Sequence, residues 1–419
     1  MLILKLQAVF GILVFLSFCW LISSDRKNID YSQIAIGIGL QFFIALIVTN
    51  VSLVQTAFNY LNNGIMAVSE ATRNGTAFVF GYLGGAPLPF TVAPEHESRL
   101  FILAFQSLPV VMVMSSLTSV LFYWQVIPVI TKFLSKILER TLGIGGALGL
   151  SSASTVFFGT DVAALLVKPH LKHMSRSELF TLMSCGMATV ASSIMLLYTQ
   201  ILQPVFNSSG VALGHIITAS FINVPSALVV ALIMMPQVGK TTGGHLVIAD
   251  KPHSTMDAVT RGVSDGLNIV LNITSMLVVL TALVYIVNNC LSVINIFDQP
   301  ITLQKIFGLI FSPIAWLMGI PWSEVSIAGS LMGTKVVLNE IFAYQQLVAE
   351  MGNISQHTQL IMVYALCGFA NFTSVGIIIG ALSILIPERR SEVVDLSLKA
   401  IVSGALANCI TGTIIGILT

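Results

Sequence analysis

Charge is scarce in this sequence. Lys, Arg, Asp and Glu make up 9% of the chain, against 55% hydrophobic residues and a mean hydropathy of +0.91. A soluble globular domain carries about 25% charge, so that class is excluded and a polytopic helical membrane protein takes its place. The five cysteines, Cys19, Cys185, Cys290, Cys367 and Cys409, are scattered through apolar runs with no C-x-x-C or Cys/His spacing. They read as small apolar side chains in helices, not as disulfides or metal ligands. The seven histidines are equally dispersed, and no H-E-x-x-H, Walker or G-x-S-x-G motif occurs. A membrane-embedded enzyme would need a nucleophile with its base, or a metal cluster, and neither can be assembled. With no ATP-hydrolysing site, solute movement must draw on an ion gradient or be passive. The formal net charge of +1 and the lack of a basic aromatic surface offer nucleic acid nothing to bind.

What the chain has instead is a series of long uncharged runs. Leu6 to Ser24 is the first span, with the basic residues Arg26 and Lys27 on its cytoplasmic side; no A-x-A cleavage site marks it as a signal peptide. Tyr31 to Ser69 is too long for one span and divides into a span and a shorter interfacial helix. Glu70 to Phe90, with its Gly and Pro, is expected to be a loop, and Leu100 to Ile130 a third span. Lys132, Lys136, Glu139 and Arg140 lie on an amphipathic stretch, and Lys240 to Asp265 predicts a second interfacial helix with Asp257 and Arg261 at i,i+4 spacing. Leu179 to Gly239 holds two spans divided near Gln203 to Gly210. Gly266 to Phe297 is another span, and Ala400 to Thr419 the last.

Two stretches do not fit simple spans. Gly143 to Lys168 is rich in small residues, has basic residues on both flanks, and has halves too short to cross alone, which predicts a re-entrant helical hairpin with its tip near Gly159. Ile306 to Glu340 is the second hairpin candidate. Gly159-Thr160-Asp161-Val162 matches Gly333-Thr334-Lys335-Val336, and Cys185 to Ser192 matches Cys367 to Ser374 in register. The last of these stretches carries Asn371, Thr373 and Ser374 inside an uncharged run, where unpaired polar groups cost several kcal/mol in hydrocarbon. Three spans separate the hairpins, so the second enters from the opposite face. An inverted repeat of this kind places substrate and ion sites at the bilayer midplane.

P-I-A-W-L-M-G-I-P-W-S-E (313–324), G-T-K-V-V-L-N-E-I-F-A (333–343), G-F-A-N-F-T-S-V-G-I (368–377) and N-G-T-A-F-V-F-G (74–81) resemble the concentrative nucleoside transporter family, in the same order over nearly the whole chain. The resemblance implies an all-α fold of about eight transmembrane helices with two re-entrant hairpins and interfacial helices. It also implies a homotrimer in a bacterial inner membrane, and proton- or sodium-coupled nucleoside symport by an elevator-like movement. The chain then divides into an N-terminal scaffold (1–98), a third span with its interfacial helix (99–142), a first transport repeat (143–265), a scaffold span (266–305) and a second transport repeat (306–419). A passive channel or a sensor for a related polar solute is the alternative class, though neither needs an inverted repeat.

The same resemblance implies site residues. Glu340, Asn371 and Ser374 match the family's ribose-binding positions. In the first hairpin, where the family reads G-Q-[ST]-E for the nucleobase, this chain has Thr160 for the Gln, Asp161 in the middle and Val162 for the Glu, so the base contact is rewritten. Asp161 reads equally as a helix N-terminal carboxylate or as a substrate or proton site. The family's sodium-ligating Asn and Ser correspond to Thr155 and Thr189, and loss of the amide inclines the coupling ion toward a proton. No cofactor beyond the coupling ion, H+ or Na+, is implied. Lys335 is expected to pair with a carboxylate or to snorkel.

Overall fold

The uncharged runs fold as helices, and the breaks between them decide where polar groups gather. The computed structural model describes residues 2–50, 52–91, 102–158, 160–206, 209–239, 241–243, 252–292, 295–296 and 299–419. The N-terminal part comprises α1 (Leu2–Leu21), α2 (Tyr31–Asn50), α3 (Ser52–Phe80), α4 (Leu103–Gln106), α5 (Pro109–Tyr123) and α6 (Val126–Leu142). The first hairpin is α7 (Gly146–Ser154) and α8 (Thr160–Leu166), followed by the short α9 (Lys168–Leu171). Next come α10 (Arg176–Ala188), α11 (Ser192–Phe206), α12 (Ser209–Met234) and α13 (Thr255–Leu291). The C-terminal part holds α14 (Leu303–Leu317), the second hairpin α15 (Val325–Val337) and α16 (Glu340–Glu350), then α17 (Gln356–Leu366), α18 (Phe372–Leu385) and α19 (Arg390–Leu418).

Seven described helical stretches are long and apolar enough to cross a bilayer: α1, α2, α4 with α5, α10 with α11, α12, α13, and α19 with the turn before it. The shorter α17 and α18 run one after the other and together supply an eighth crossing. Two environments result. The stretches 176–206 and 210–234 are each 89% buried within the chain, whereas the windows of α1 and α13 are 28% and 0% buried. An inner bundle is thus wrapped by helices whose apolar surface faces outward, toward lipid.

Three expectations change. The expected loop Glu70 to Phe90 is helical in its first half: α3 runs to Phe80, a 3-10 turn follows over Gly81–Gly84, and the Thr76 hydroxyl closes the helix end by donating to Arg73 O at 3.0 Å and to Gly84 O at 2.8 Å. The interfacial helix and the following span are one element, α13. Its N-cap is Ser254, and Asp257 pairs with Arg261 at 3.2 Å. Gly262 and Gly266 carry it past the expected boundary, because an added Cβ would lie 2.5 Å from Ser116 Cα and 2.6 Å from Met112 Cα of α5. Small residues one turn apart let two helix backbones approach in a membrane. The last helix starts at Arg390, since Arg389 anchors its beginning by donating to Leu171 O and Met174 O at 2.9 and 2.7 Å. The expected division near Gln203 to Gly210 is there, α11 ending at Phe206 and α12 beginning at Ser209, with Pro204 inside α11 and Asn207 and Ser208 outside the described residues.

Candidate functional site

Both matched polar stretches are helix breaks. α10 ends at Ala188 and α11 begins at Ser192; α17 ends at Leu366 and α18 begins at Phe372. The carbonyls at a helix end have no partner within the helix, and inside a membrane protein other side chains must supply one. Asn408 of α19 does so for both breaks: its amide donates to Ala188 O at 2.8 Å and to Cys367 O at 3.1 Å. Asn223 of α12 donates to Cys367 O at 2.6 Å. Lys335 of α15, fully buried, donates from Nζ to Ala365 O at 2.8 Å and to Asn408 Oδ1 at 2.7 Å. The backbones cross here so closely that a Cβ on Gly368 would collide with Ala188 O and Asn408.

The second hairpin delivers a carboxylate to this crossing. Asn339 caps α16 by accepting from Phe342 N at 3.1 Å, which makes Glu340 the first helical residue. A carboxylate there is favoured by the positive end of the helix dipole. Glu340 Oε1 accepts from the Tyr198 hydroxyl at 2.6 Å, and Oε2 from Asn371 Nδ2 at 2.9 Å. Asn371 in turn caps α18, its Oδ1 accepting from Ser374 N at 2.8 Å. Glu340, Asn371 and Ser374 are 4%, 1% and 8% exposed, so the three expected ribose residues meet in the interior. Behind them the Tyr198 and Tyr344 rings lie 5.1 Å apart, and Tyr344 donates to Val363 O at 2.9 Å.

Among the described residues, the contacts of the first hairpin and its broken span are made through hydroxyls. Ser192, the repeat counterpart of Ser374, donates to Phe157 O at 2.7 Å and so ties the first break to the hairpin turn. Thr155 and Thr189 sit at the C-terminal ends of α7 and α10 and donate to Ser152 O and Cys185 O at 2.7 and 2.8 Å. Each hydroxyl oxygen keeps lone pairs free. Thr160 and Asp161 open α8, while their side chains and Gly159 lie outside the described residues.

Sequence reasoning did not single out Tyr198, Asn223 or Asn408, and it expected Lys335 to pair with a carboxylate or to snorkel, whereas the buried amine bonds two neutral acceptors. Asn408 was visible as a lone amide inside the last apolar run, a position that demands partners in a membrane. Tyr198 carried a weaker signal: a buried phenol needs a hydrogen-bond partner, but nothing local indicates which.

Comparison with known proteins agrees over the whole chain. Residues 215–416 match the family model described as Na+ dependent nucleoside transporter C-terminus, residues 10–83 its N-terminus, and residues 104–205 a model described as nucleoside recognition. The nucleoside permease NupC of Helicobacter pylori is 32% identical, with 99% of this chain and 97% of the relative covered. Sodium/nucleoside cotransporter 1 of Rattus norvegicus is 30% identical over 99% of this chain and 64% of that protein. The structure of CNTnw in an inward-facing substrate-bound state matches with a TM-score of 0.88 at 34% identity, covering 99% of both chains. Outward-facing and intermediate states of CNTnw variants match with TM-scores from 0.88 to 0.90.

Proposed function

The chain belongs to the concentrative nucleoside transporter family, and from that premise we propose an ion-coupled symporter that imports a nucleoside or nucleoside-like solute by elevator-type alternating access. The observation that carries this reading is the buried Glu340 carboxylate, held by Tyr198 and Asn371 where the second hairpin meets a helix break. An ionised carboxylate offers about four lone-pair sites, and two are used here. The other two accept from ribose hydroxyls, while the Asn371 amide and the Ser374 hydroxyl orient the sugar. Thr160 and Asp161 face the base in this reading, on the strength of the sequence match alone. The inner bundle of repeats 143–265 and 306–419 is the moving body, except that α13, a single outward-facing helix, belongs whole to the scaffold. The outward-facing helices of 1–98 and 266–305 form the scaffold of a homotrimer in a bacterial inner membrane. The contrast in burial between the two sets of helices supports this division.

The coupling ion is a proton in this reading, because Thr155 and Thr189 offer hydroxyls and no amide oxygen. Sodium is the second reading, favoured by the description of the family model and by the rat cotransporter. Purified protein in proteoliposomes, assayed with radiolabelled uridine, separates these. A symporter shows counterflow, and accumulates uridine under an imposed proton gradient in choline medium, with accumulation abolished by a protonophore. Accumulation that requires sodium and ignores the protonophore would assign the ion site around Thr155 and Thr189 to sodium. Flux that only equilibrates, without counterflow, would show a channel.

A further inference from the structure

Lys335 lies at the helix crossing and takes no part in the ribose site. Its Nζ has two hydrogen-bond partners, Ala365 O and Asn408 Oδ1, both neutral. A lysine ammonium carries three N–H donors, whereas the neutral amine carries two donors and a lone pair. At 0% exposure the two described partners match the two donors of the neutral amine. The charged form leaves one N–H unpaired, but it gains from lying against the carbonyl end of α17, where the helix dipole is negative. The site thus accommodates both forms, the amine by its two partners and the ammonium by the helix end. Only the hairpin break Leu338–Asn339 and two helical residues separate Lys335 from Glu340.

We propose that Lys335 carries the coupling proton and that its charge is linked to nucleoside binding through Glu340; this rests on the symporter reading above. On the outward side the Nζ lone pair takes a proton from water, forming one N–H bond and breaking none in the protein. The ammonium stabilises ionised Glu340, which is the form that accepts ribose hydroxyls. On the inward side the same N–H bond breaks and the proton returns to water; Glu340 stays ionised, but without the facing ammonium it holds the sugar less tightly. The ionisable groups facing Lys335 are Cys409 from α19, Glu340 from α16 and Cys367 from the α17–α18 break. The helix α14 meets α15 through Phe307, Gly308 and Ser312, which do not titrate. Of these neighbours only Glu340 both titrates and touches the proposed sugar site. Linkage then requires that nucleoside binding draw in a proton, by the same factor with which protonation tightens nucleoside binding.

The test is proton uptake on binding. Full-length protein in sodium-free, weakly buffered detergent solution is titrated with uridine between pH 6 and 9.5, and protons taken up per uridine bound are counted with an indicator dye. The wild type is expected to take up close to one proton at the alkaline end, with uridine affinity falling up to tenfold per pH unit there. Lys335→Arg, whose guanidinium stays charged, and Lys335→Met, which cannot be charged, are both expected to bind without uptake and with a flattened pH profile. Uptake by either variant equal to the wild type would overturn the proposal while leaving the transporter reading intact. So would a wild type that takes up no proton at any pH, a result that needs no variant to fold. Absence of binding to the wild type by every nucleoside tried would instead overturn the nucleoside reading, and the proposal with it.

Discussion

At the first hairpin the junction with its broken span is made by one serine, Ser192 donating to Phe157 O, and by threonines that bond to their own helices. At the second hairpin the equivalent junction is made by Lys335, Glu340 and Asn371, with Asn408 crossing to both breaks. The two repeats share a backbone plan, two half-helices facing a broken span. They differ in that the described charge of the crossing sits in one of them. Charge inside a membrane is expensive and has to be held by partners, so concentrating it in one repeat concentrates the hydrogen bonds there as well. Among the described residues the other repeat is joined through hydroxyl contacts. In the function proposed above, that asymmetry gives the sugar to the second repeat and the base, with the selectivity that varies with it, to the first.

The sharpest way to break this comparison is Glu340→Gln. It keeps the shape and removes the charge from a site with two hydrogen bonds already made, and bonds to a charged group contribute about 1.5–3 kcal/mol each. Uridine uptake in vesicles should fall more than about a hundredfold while the protein stays folded by size-exclusion chromatography. Retained uptake would move the sugar site elsewhere. The complementary change in the first repeat is Thr160→Gln with Asp161→Ser and Val162→Glu. If that hairpin reads the base, competition assays should show preference among nucleosides shifting by roughly ten- to a hundredfold, the worth of one good contact to a charged group. The ribose requirement should persist. An unchanged base profile in a transporting protein would detach the first hairpin from base reading.

Next in size is the crossing of the two breaks. Gly368→Ala places a methyl against Ala188 O and Asn408, and overpacking of this kind costs about 1–3 kcal/mol. Thermal unfolding should occur several degrees lower and transport should drop. Gly380→Ala, with nothing within 4 Å of its Cβ, should unfold at or above the wild-type temperature. Equal effects of the two would mean that the close crossing is unimportant. The smallest effect belongs to Tyr198→Phe, which removes one donor from Glu340 and leaves the ring in place. A loss of about 1.5 kcal/mol, roughly tenfold in uridine affinity, is expected by binding titration.

Much of this architecture was legible in the sequence because hydrocarbon leaves few options. Uncharged runs became helices, and equal basic flanks around a small-residue stretch became the hairpin α7–α8. Polar residues in an apolar run, Asn371 and Ser374, became a break with a carboxylate beside it. What failed were judgements made on composition over short distances. Asn74, Gly75 and Thr76 look like a loop, yet helix α3 continues because Thr76 closes its end against Gly84. Gly262 and Gly266 look like weak points at an interfacial boundary, but they are where α13 packs on α5. The partners of Lys335, Asn408 and Tyr198 come from distant segments, and no local pattern encodes them. Tyr198 and Glu340 are 142 residues apart in sequence, and Asn408 and Ala188 are 220 apart.

The central claim, that the carboxylate of the second repeat reads the sugar, is tested most directly by comparing uridine with free uracil. Binding of both to the purified wild type and to Glu340→Gln should be measured by calorimetry under one set of conditions. The account predicts that the wild type prefers uridine by at least about a hundredfold, two hydrogen bonds to a charged group being worth about 3 kcal/mol or more, and that Glu340→Gln erases most of that preference by weakening uridine alone. Equal loss of uridine and uracil binding, or an undiminished preference in the variant, would contradict it.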